Sequence, residues 1–302
     1  MGWRTVVISN PCRLSLKNRS LFVEPYSGES ASLPLSDISA IILESREAVL
    51  TAALLSAVAD EGIALFSCDA SHIPNGVFVP FASHSRHTKA AKIQKDWSEP
   101  FKKRAWQKII KSKITNQSFV LSHIGNLEAS KRLKNLATKT LSDDETNTEA
   151  QAAKIYWAAL FRDFRRGGIE EDVRNSALNY GYAIIRGIIA RSIAGAGLIG
   201  AFGLHHDSEL NAFNLADDLI EPFRPFVDIR VWNMYERTGI DVRHGLGRDD
   251  KLDILGIFED RALVGGCLES IPNACEKVAV SLVSASVAKS HTALRLPEFS
   301  KG

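Results

Sequence analysis

HHDSELNAFNLADDLIEPFRPFVD, residues 205–228, brings two adjacent imidazoles, the acids Asp217, Asp218 and Glu221, and Arg224 into one short stretch. Asn214 is placed to cap a helix whose first turn contains Asp217 and Asp218. Carboxylates are favoured there because they face unpaired backbone N–H groups and the positive end of the helix dipole. In such a helix Asp218 and Glu221 are three apart and Asp217 and Glu221 four apart, so they share one side. Leu215 and Leu219 supply an adjoining apolar stripe. Pro222 removes a backbone donor and biases Glu221 away from helical geometry, which predicts a kink or an end at this carboxylate. On these residues alone the acids are explained by the helix they begin. The same set of His and carboxylate groups also suits Mn²⁺ or Mg²⁺ with water completing the shell, whereas structural zinc more often recruits thiolates. Both readings stand at this point.

Working outward, a second segment carries the same ambiguity. EAQAAKIYW begins at Glu149, directly after the polar connector LSDDETNT, residues 141–148. Thr148 is expected to cap the helix and Glu149 to sit at its beginning, where it also serves the dipole. Ala152, Ala153, Tyr156, Trp157 and Leu160 form a packing face, followed by Arg162, Arg165 and Arg166.

Taken together, the two segments resemble the CRISPR-associated spacer integrases, in the version that accompanies single-effector type II systems. In that family a His precedes by 15 residues the Glu of a D-L-x-E-P-F-R-P segment, and His206 and Glu221 stand in that relation within DLIEPFRP. The spacing selects His206 over His205. The family's E-x-x-A-A-x-x-Y-W segment appears in the expected order at Glu149, and the likeness extends over nearly the whole chain. The resemblance implies that Glu149, His206 and Glu221 ligate Mg²⁺ or Mn²⁺ and carry the chemistry; where these converge, Asp217 and Asp218 are second-layer candidates to orient His206 or to coordinate through water. It further implies a DNA integrase and endonuclease that joins prespacer DNA to CRISPR leader-repeat DNA by 3′-hydroxyl transesterification. The implied partners are a second copy in a homodimer, a dimer of the smaller CRISPR-associated acquisition protein, and, in type II systems, the effector nuclease and a DNA-end-binding adaptation protein.

Composition is compatible with this and excludes other classes. With 302 residues, 45% hydrophobic and 24% charged, the chain can bury a substantial core and accommodate two domains. A formal charge of +2 selects no partner, so the distribution of charge matters more than its total. Four cysteines without a CxxC pair argue against a disulfide framework or a thiolate zinc site. MGWRTVVISNP lacks a signal-peptide pattern and no apolar run is long enough to span a bilayer, so a cytoplasmic protein with no membrane partner is expected.

The expected fold is α+β, a small β-rich domain at 1–85 followed by a larger, mainly α-helical domain at 86–302; the resemblance implies that the first is a dimerisation domain and the second the metal-dependent catalytic domain. Residues 3–8, 12–16, 20–24, 36–43 and 63–66 read as strands and 49–60 as a helix. His72, His84 and His87, among Pro74, Gly76 and Pro80, read as a polar linker. From Arg86 to Lys113 ten Lys or Arg residues meet only Asp96 and Glu99, with Trp97, Phe101 and Trp106 interleaved. Such a segment can press its aromatic rings into the fold and offer cations such as Lys102, Lys103 and Arg104 to phosphates; an ordinary solvated face is the competing reading. Helices are expected at 114–139, broken near Gly125, then at 172–200, 231–238 and 275–290. Arg224, Arg243 and Arg248 are further candidates for DNA contact, and the resemblance, through the family's Asn and Tyr-containing helix in this region, makes Asn175, Tyr180 and Tyr182 supports or DNA-side groups. Gly195, Gly197 and Gly200 follow a helix rather than a strand, which argues against a nucleotide-binding loop. Two other functions compete, a noncatalytic nucleic-acid-binding assembly protein and a hydrolase of small phosphorylated substrates. Metal-dependent joining of a 3′-hydroxyl DNA end separates them from an integrase.

Overall fold

In the first eighty residues, short runs of β-branched and apolar residues separated by turns build two four-stranded sheets. The computed structural model describes residues 4–70, 72–79, 87–167, 172–238 and 245–300. Strands β1 (Arg4–Ile8), β2 (Cys12–Lys17), β3 (Ser20–Pro25), β4 (Ala31–Pro34), β5 (Ile38–Leu43) and β6 (Val49–Leu50) precede helix α1 (Ala52–Asp60). Strands β7 (Ala64–Cys68) and β8 (Pro74–Phe78) follow. One sheet has the order β1-β5-β7-β8, parallel except for β8; the other has the order β4-β3-β2-β6. Thr51 caps α1 by accepting from the Leu54 N–H.

Strand β8 corrects the polar linker expected around His72. Pro74 and Gly76 are tolerated in a strand here because β8 is at the sheet edge, where a missing donor breaks no second ladder. His84, Arg86 and the expected boundary at 85/86 lie outside the described residues.

The two faces of the first sheet enter different cores. Ile38, Ile41, Ile63 and Leu65 pack with Leu14, Leu21, Leu54 and Val58 in a small N-terminal core. Ala40, Ile42, Ala64 and Phe66 join the large core of the helices. A mostly parallel sheet covered on both sides explains why these strands read as continuous apolar runs rather than clean alternations.

The remaining chain is mainly helical: α2 (His87–Lys95), α3 (Glu99–His123), α4 (Leu127–Lys139), α5 (Thr148–Leu160), α6 (Val173–Gly195), α7 (Asn214–Leu219), α8 (Arg224–Tyr235) and α9 (Arg248–Leu255). Strands β9 (Arg261–Val264) and β10 (Cys267–Ser270), helix α10 (Ile271–Val287) and strand β11 (Pro297–Glu298) complete it. The sheet of order β10-β9-β11 was not anticipated from sequence. Its strands are two to four residues long and exist only through pairing with one another.

Helix α6 joins the sheets to the helices. A Cβ at Gly187 would fall 2.0 Å from a carbon of the Phe66 ring, so only glycine lets this helix lie against β7. Helix α3 starts at a Ser98 cap with Pro100 in its first turn, and buries Phe101, Ala105, Trp106, Ile109, Ile110 and Ile114. The basic segment thus presses its aromatic rings inward as expected. Among the described residues no helix is long and apolar enough to cross a membrane, and the four cysteines are free thiols.

Candidate active site

The loop that carries His206 has no regular secondary structure, so side chains must satisfy its backbone. Gln94 of α2, nearly fully buried, donates to the carbonyls of Ile199 (2.9 Å) and Phe202 (2.8 Å) and accepts from the Ile199 N–H (2.7 Å). Asn214 donates to the carbonyls of Ala201 (3.1 Å) and Ser208 (2.9 Å). This corrects its expected role as a cap: Asn214 lies within α7, and its side chain ties down the loop instead.

Asp218 is fully buried and is the centre of that loop. Its carboxylate accepts the backbone N–H groups of Leu204 (2.5 Å), His205 (3.1 Å) and His206 (3.1 Å), and stands 2.7 Å from His206 Nδ1. A carboxylate has no proton to offer, so Nδ1 donates and Nε2 keeps its lone pair. The hydrogen bond to Asp218 raises the His206 pKa, against the opposing effect of burial. His205 takes a different place. It stacks flat on Trp106 with ring centroids 4.3 Å apart, and its Nδ1 is 3.6 Å from Asp143.

Asp217, one residue away, does not touch His206. It pairs with Arg186 of α6 (2.5 Å and 2.9 Å) and accepts from Asn211 (2.7 Å), which outweighs burial and lowers its pKa. Of the two acids expected to support His206, Asp218 does so and Asp217 instead fastens α7 to α6. Adjacent residues on a helix point about 100° apart, so the two had to find different neighbours.

Glu221 occupies the break foreseen at Pro222. Helix α7 ends at Leu219, a 3-10 turn covers Glu221–Phe223, and α8 begins at Arg224. The break is stapled by Asn116 of α3, which donates to the Pro222 carbonyl at 2.8 Å and to the Pro297 carbonyl at 2.9 Å. The buried Glu221 carboxylate accepts from Arg224 Nε at 2.8 Å. Arg224 also lies over the Tyr182 ring, 4.5 Å from its centroid. Burial works against the charged form of Glu221, yet Lys113 and Arg224 outweigh it and hold its carboxyl down at about 2.

Glu149 stands in the first turn of α5. The cap is Asn147, in left-handed backbone, rather than the expected Thr148; its side chain accepts from the Ala150 N–H. Asp144 accepts the N–H groups of Thr148 (2.8 Å) and Glu149 (2.9 Å), fixing the backbone from which the Glu149 side chain departs.

Between Glu149 and Glu221 stands Lys113 of α3, a residue the sequence reading did not single out. Its Nζ donates to Glu149 Oε1 at 2.5 Å and lies 2.5 Å from Glu221 Oε2. The second contact completes a bridge in which one buried ammonium neutralises an oxygen of each glutamate. Burial disfavours the ammonium, but the two carboxylates prevail and raise its pKa. One signal was available: Trp106, Ile110, Lys113 and Gln117 follow helical spacing along a buried face, where an unpaired lysine is costly.

Among the described residues no three His, Cys, Asp or Glu side chains are gathered closely enough to hold a metal ion as they stand. Lys113 fills the place between the two glutamates instead. The donors nevertheless fit a divalent ion: two carboxylates face one cation position, and an imidazole whose Nδ1 is held by Asp218 has Nε2 as its remaining ligand atom.

The candidate DNA contacts separate into classes. Lys102 is paired with Glu99 (2.8 Å) and Lys103 with Asp143 (3.1 Å), while Arg104 is exposed and no ion pair involves it among the described residues. Arg224 is committed to Glu221, Arg248 is exposed at the start of α9, and Arg243 lies outside the described residues. Tyr180 and Tyr182 are buried, and Asn175 accepts from Arg166 and donates to the Arg165 carbonyl, so these three are supports rather than DNA-side groups.

Comparison with known proteins finds relatives of the chain in sequence and in fold. The family model described as CRISPR associated protein Cas1 matches residues 5–251. A CRISPR-associated endonuclease Cas1 from Neisseria meningitidis serogroup C (strain 8013) is 47% identical over 238 residues, spanning 78% of this chain and 77% of the relative. A casposase bound to integration product matches with a TM-score of 0.76 and 16% identity, over 95% of this chain and 91% of its own. A chain of a Cas6-RT-Cas1–Cas2 complex matches with a TM-score of 0.72 and 18% identity, over 96% of this chain and 36% of the longer one. At these identities the two structures speak to fold alone.

Proposed function

The chain belongs to the Cas1 family of CRISPR-associated proteins, and from that membership we propose that it is a divalent-metal-dependent DNA integrase and endonuclease, inserting prespacer DNA into a CRISPR array during adaptive immunity. The observation that carries the chemistry is the opposition of Glu149 and Glu221 across one cation position, with Glu221 also acting electrostatically on a His206 ring held by Asp218.

Each group then has a task. Glu149 and Glu221 supply the negative charge that attracts the ion, and Arg224 keeps Glu221 ionised by pairing with it. Asp218 holds Nδ1 of His206 and so fixes the tautomer in which the neutral ring offers Nε2 as the ligand atom. A bound Mg²⁺ or Mn²⁺ would polarise the phosphodiester and stabilise the charge that grows on the attacking and departing oxygens. The free 3′-hydroxyl of the prespacer attacks a phosphorus of the repeat. One P–O bond forms as another breaks, and the displaced strand leaves with its own 3′-hydroxyl. When water is the nucleophile, the same site cleaves DNA. The reaction needs no enzyme-linked intermediate.

Assembly follows the same reading. We place the protein in the cytoplasm as a homodimer of the type II version, acting on prespacer and leader-repeat DNA with a dimer of the smaller acquisition protein. The effector nuclease and a DNA-end-binding adaptation protein then supply protospacer selection. The fold shared with a chain of a Cas6-RT-Cas1–Cas2 complex and with a casposase bound to integration product is compatible with this assembly, and the family membership is what supports it.

The test is joining of a short duplex with free 3′-hydroxyls into a supercoiled plasmid carrying leader and repeat, with Mn²⁺ or Mg²⁺ and the smaller partner present. Wild type should join, whereas Glu149→Ala, His206→Ala and Glu221→Ala should not. Joining by all three variants would remove the chemistry from this site.

A further inference from the structure

We propose that Lys113 is a displaceable counter-ion, its ammonium holding the gap between Glu149 and Glu221 until a divalent cation takes that position. The inference rests on the reading of Glu149 and Glu221 as ligands and adds a resting state to it.

Three features of the site lead there. Lys113 Nζ is 2.5 Å from one oxygen of each glutamate, so those oxygens are no more than 5.0 Å apart. Carboxylates that close repel unless a cation lies between them, and a six-coordinate Mg²⁺, with oxygens at about 2.0–2.1 Å, works on the same length scale. The site therefore has room for one cation, because an ammonium and a divalent ion side by side would repel in turn. The lysine is also in an unusual place, flanked on α3 by Ile109, Ile110 and Ile114, each with no exposed surface. A charge on that face is tolerated only while it is paired. Finally, the bridging charge is carried by a movable group. A lysine stem is flexible and its ammonium is a point charge, so it can withdraw without disturbing α3, as a planar guanidinium fork could not so readily do.

The consequence is a trade. Without metal, Lys113 stabilises the protein by neutralising the glutamates; with metal, it competes for them. A residue that merely supported metal binding would act in the opposite direction, and its removal would weaken the ion.

Mn²⁺ binding to the full-length protein, followed by the electron paramagnetic resonance signal of free Mn²⁺, distinguishes the two. Lys113→Met and Lys113→Gln should bind Mn²⁺ at least tenfold more tightly than wild type. Both should melt at lower temperature than wild type in chelator and recover a larger share of the difference when Mn²⁺ is added. Affinity equal to or weaker than wild type in both variants would overturn the proposal. A variant that folds only with Mn²⁺ would support it, since the ion then replaces the ammonium; one that saturating Mn²⁺ does not restore would contradict it. Glu221→Gln is the control for the underlying site. Unchanged Mn²⁺ affinity in that variant would mean the ligand reading has failed. Lost affinity there, with no gain on removing Lys113, would sink the counter-ion alone.

Discussion

Gly203→Ala tests whether close contact holds His206 in place. The Gly203 backbone passes so near the loop that an ideal Cβ would lie 2.2 Å from the His206 carbonyl oxygen, 2.8 Å from Asp218 Oδ2 and 3.2 Å from Asn214 Cβ. A carbon needs roughly 3.3–3.6 Å from a carbonyl oxygen, so the His206 backbone has to retreat by about 1 Å and the Asp218 carboxylate by about half that. The displaced groups are the ones that aim His206: Asp218 receives its N–H and Nδ1–H, and Asn214 ties the flanking carbonyls. A misplacement of about 1 Å costs on the order of 10²-fold in rate, and overpacking costs about 1–3 kcal/mol of stability. At roughly 2–4 °C per kcal/mol for a chain approaching this size, Tm should fall by about 2–12 °C. The assay is the initial rate of Mn²⁺-dependent joining of a 3′-hydroxyl duplex into leader-repeat plasmid, measured with Tm on the same samples. Gly195→Ala is the control, because its Cβ would meet nothing within 4 Å. Gly203→Ala joining at near wild-type rate with an unchanged Tm would refute the claim that His206 is positioned by this packing.

Asp228 gives a pH dependence. It is buried between Tyr156 and Tyr182, and burial raises its carboxyl to about 6 although both tyrosine hydroxyls donate to it. The native state thus binds this proton more tightly than the unfolded chain, whose carboxyl titrates near 3.8. Stability from this group is greatest below about pH 4 and declines as the pH rises towards 6, by about 3 kcal/mol for a shift of roughly two units. Urea midpoints of wild type relative to Asp228→Asn should fall across that window, and parallel profiles would contradict the assignment. Lys251→Met should cost about 3–5 kcal/mol, because it strands Glu44, whose carboxylate is 3.3 Å away across the junction of sheet and helices. Combining it with Glu44→Gln should restore much of the loss in thermal melts; simple additivity would show that the pair is not coupled. Replacing Lys102, Lys103 and Arg104 by Ala should reduce the salt slope of DNA binding by about 1 rather than about 3, since two of these cations already have acidic partners. A drop near 3 in anisotropy titrations would mean that both ion pairs open on DNA.

Much of the architecture was legible because its signals are local. Strand runs at β1, β2 and β3, the break after α3 near Gly125 and the long α6 all follow from turn residues and helical periodicity over a few neighbouring positions. Pro222 announced that Glu221 would stand at a helix break, since a proline's geometry is its own. What escaped was non-local or finely local. Strand β8 hid in a polar segment because its edge position, not its composition, makes Pro74 acceptable. Caps moved by one residue where Asn147 took left-handed backbone ahead of Thr148.

The candidate site divides in the same way. From the chain came the two segments whose likeness to a known family singles out Glu149, His206 and Glu221, because residue types and order are written along it, although spacing alone explains the same acids by the helices they begin. Tertiary structure alone decided that Asp218 turns to His206 while its neighbour Asp217 turns to Arg186, because each acid takes whichever cation or N–H group the packed helices bring within reach. It also took Lys113 out of a basic run that reads as solvated surface and set it between two glutamates. A charge pattern cannot reveal this, since whether an ammonium meets water or carboxylates depends on what packs against its side of the helix.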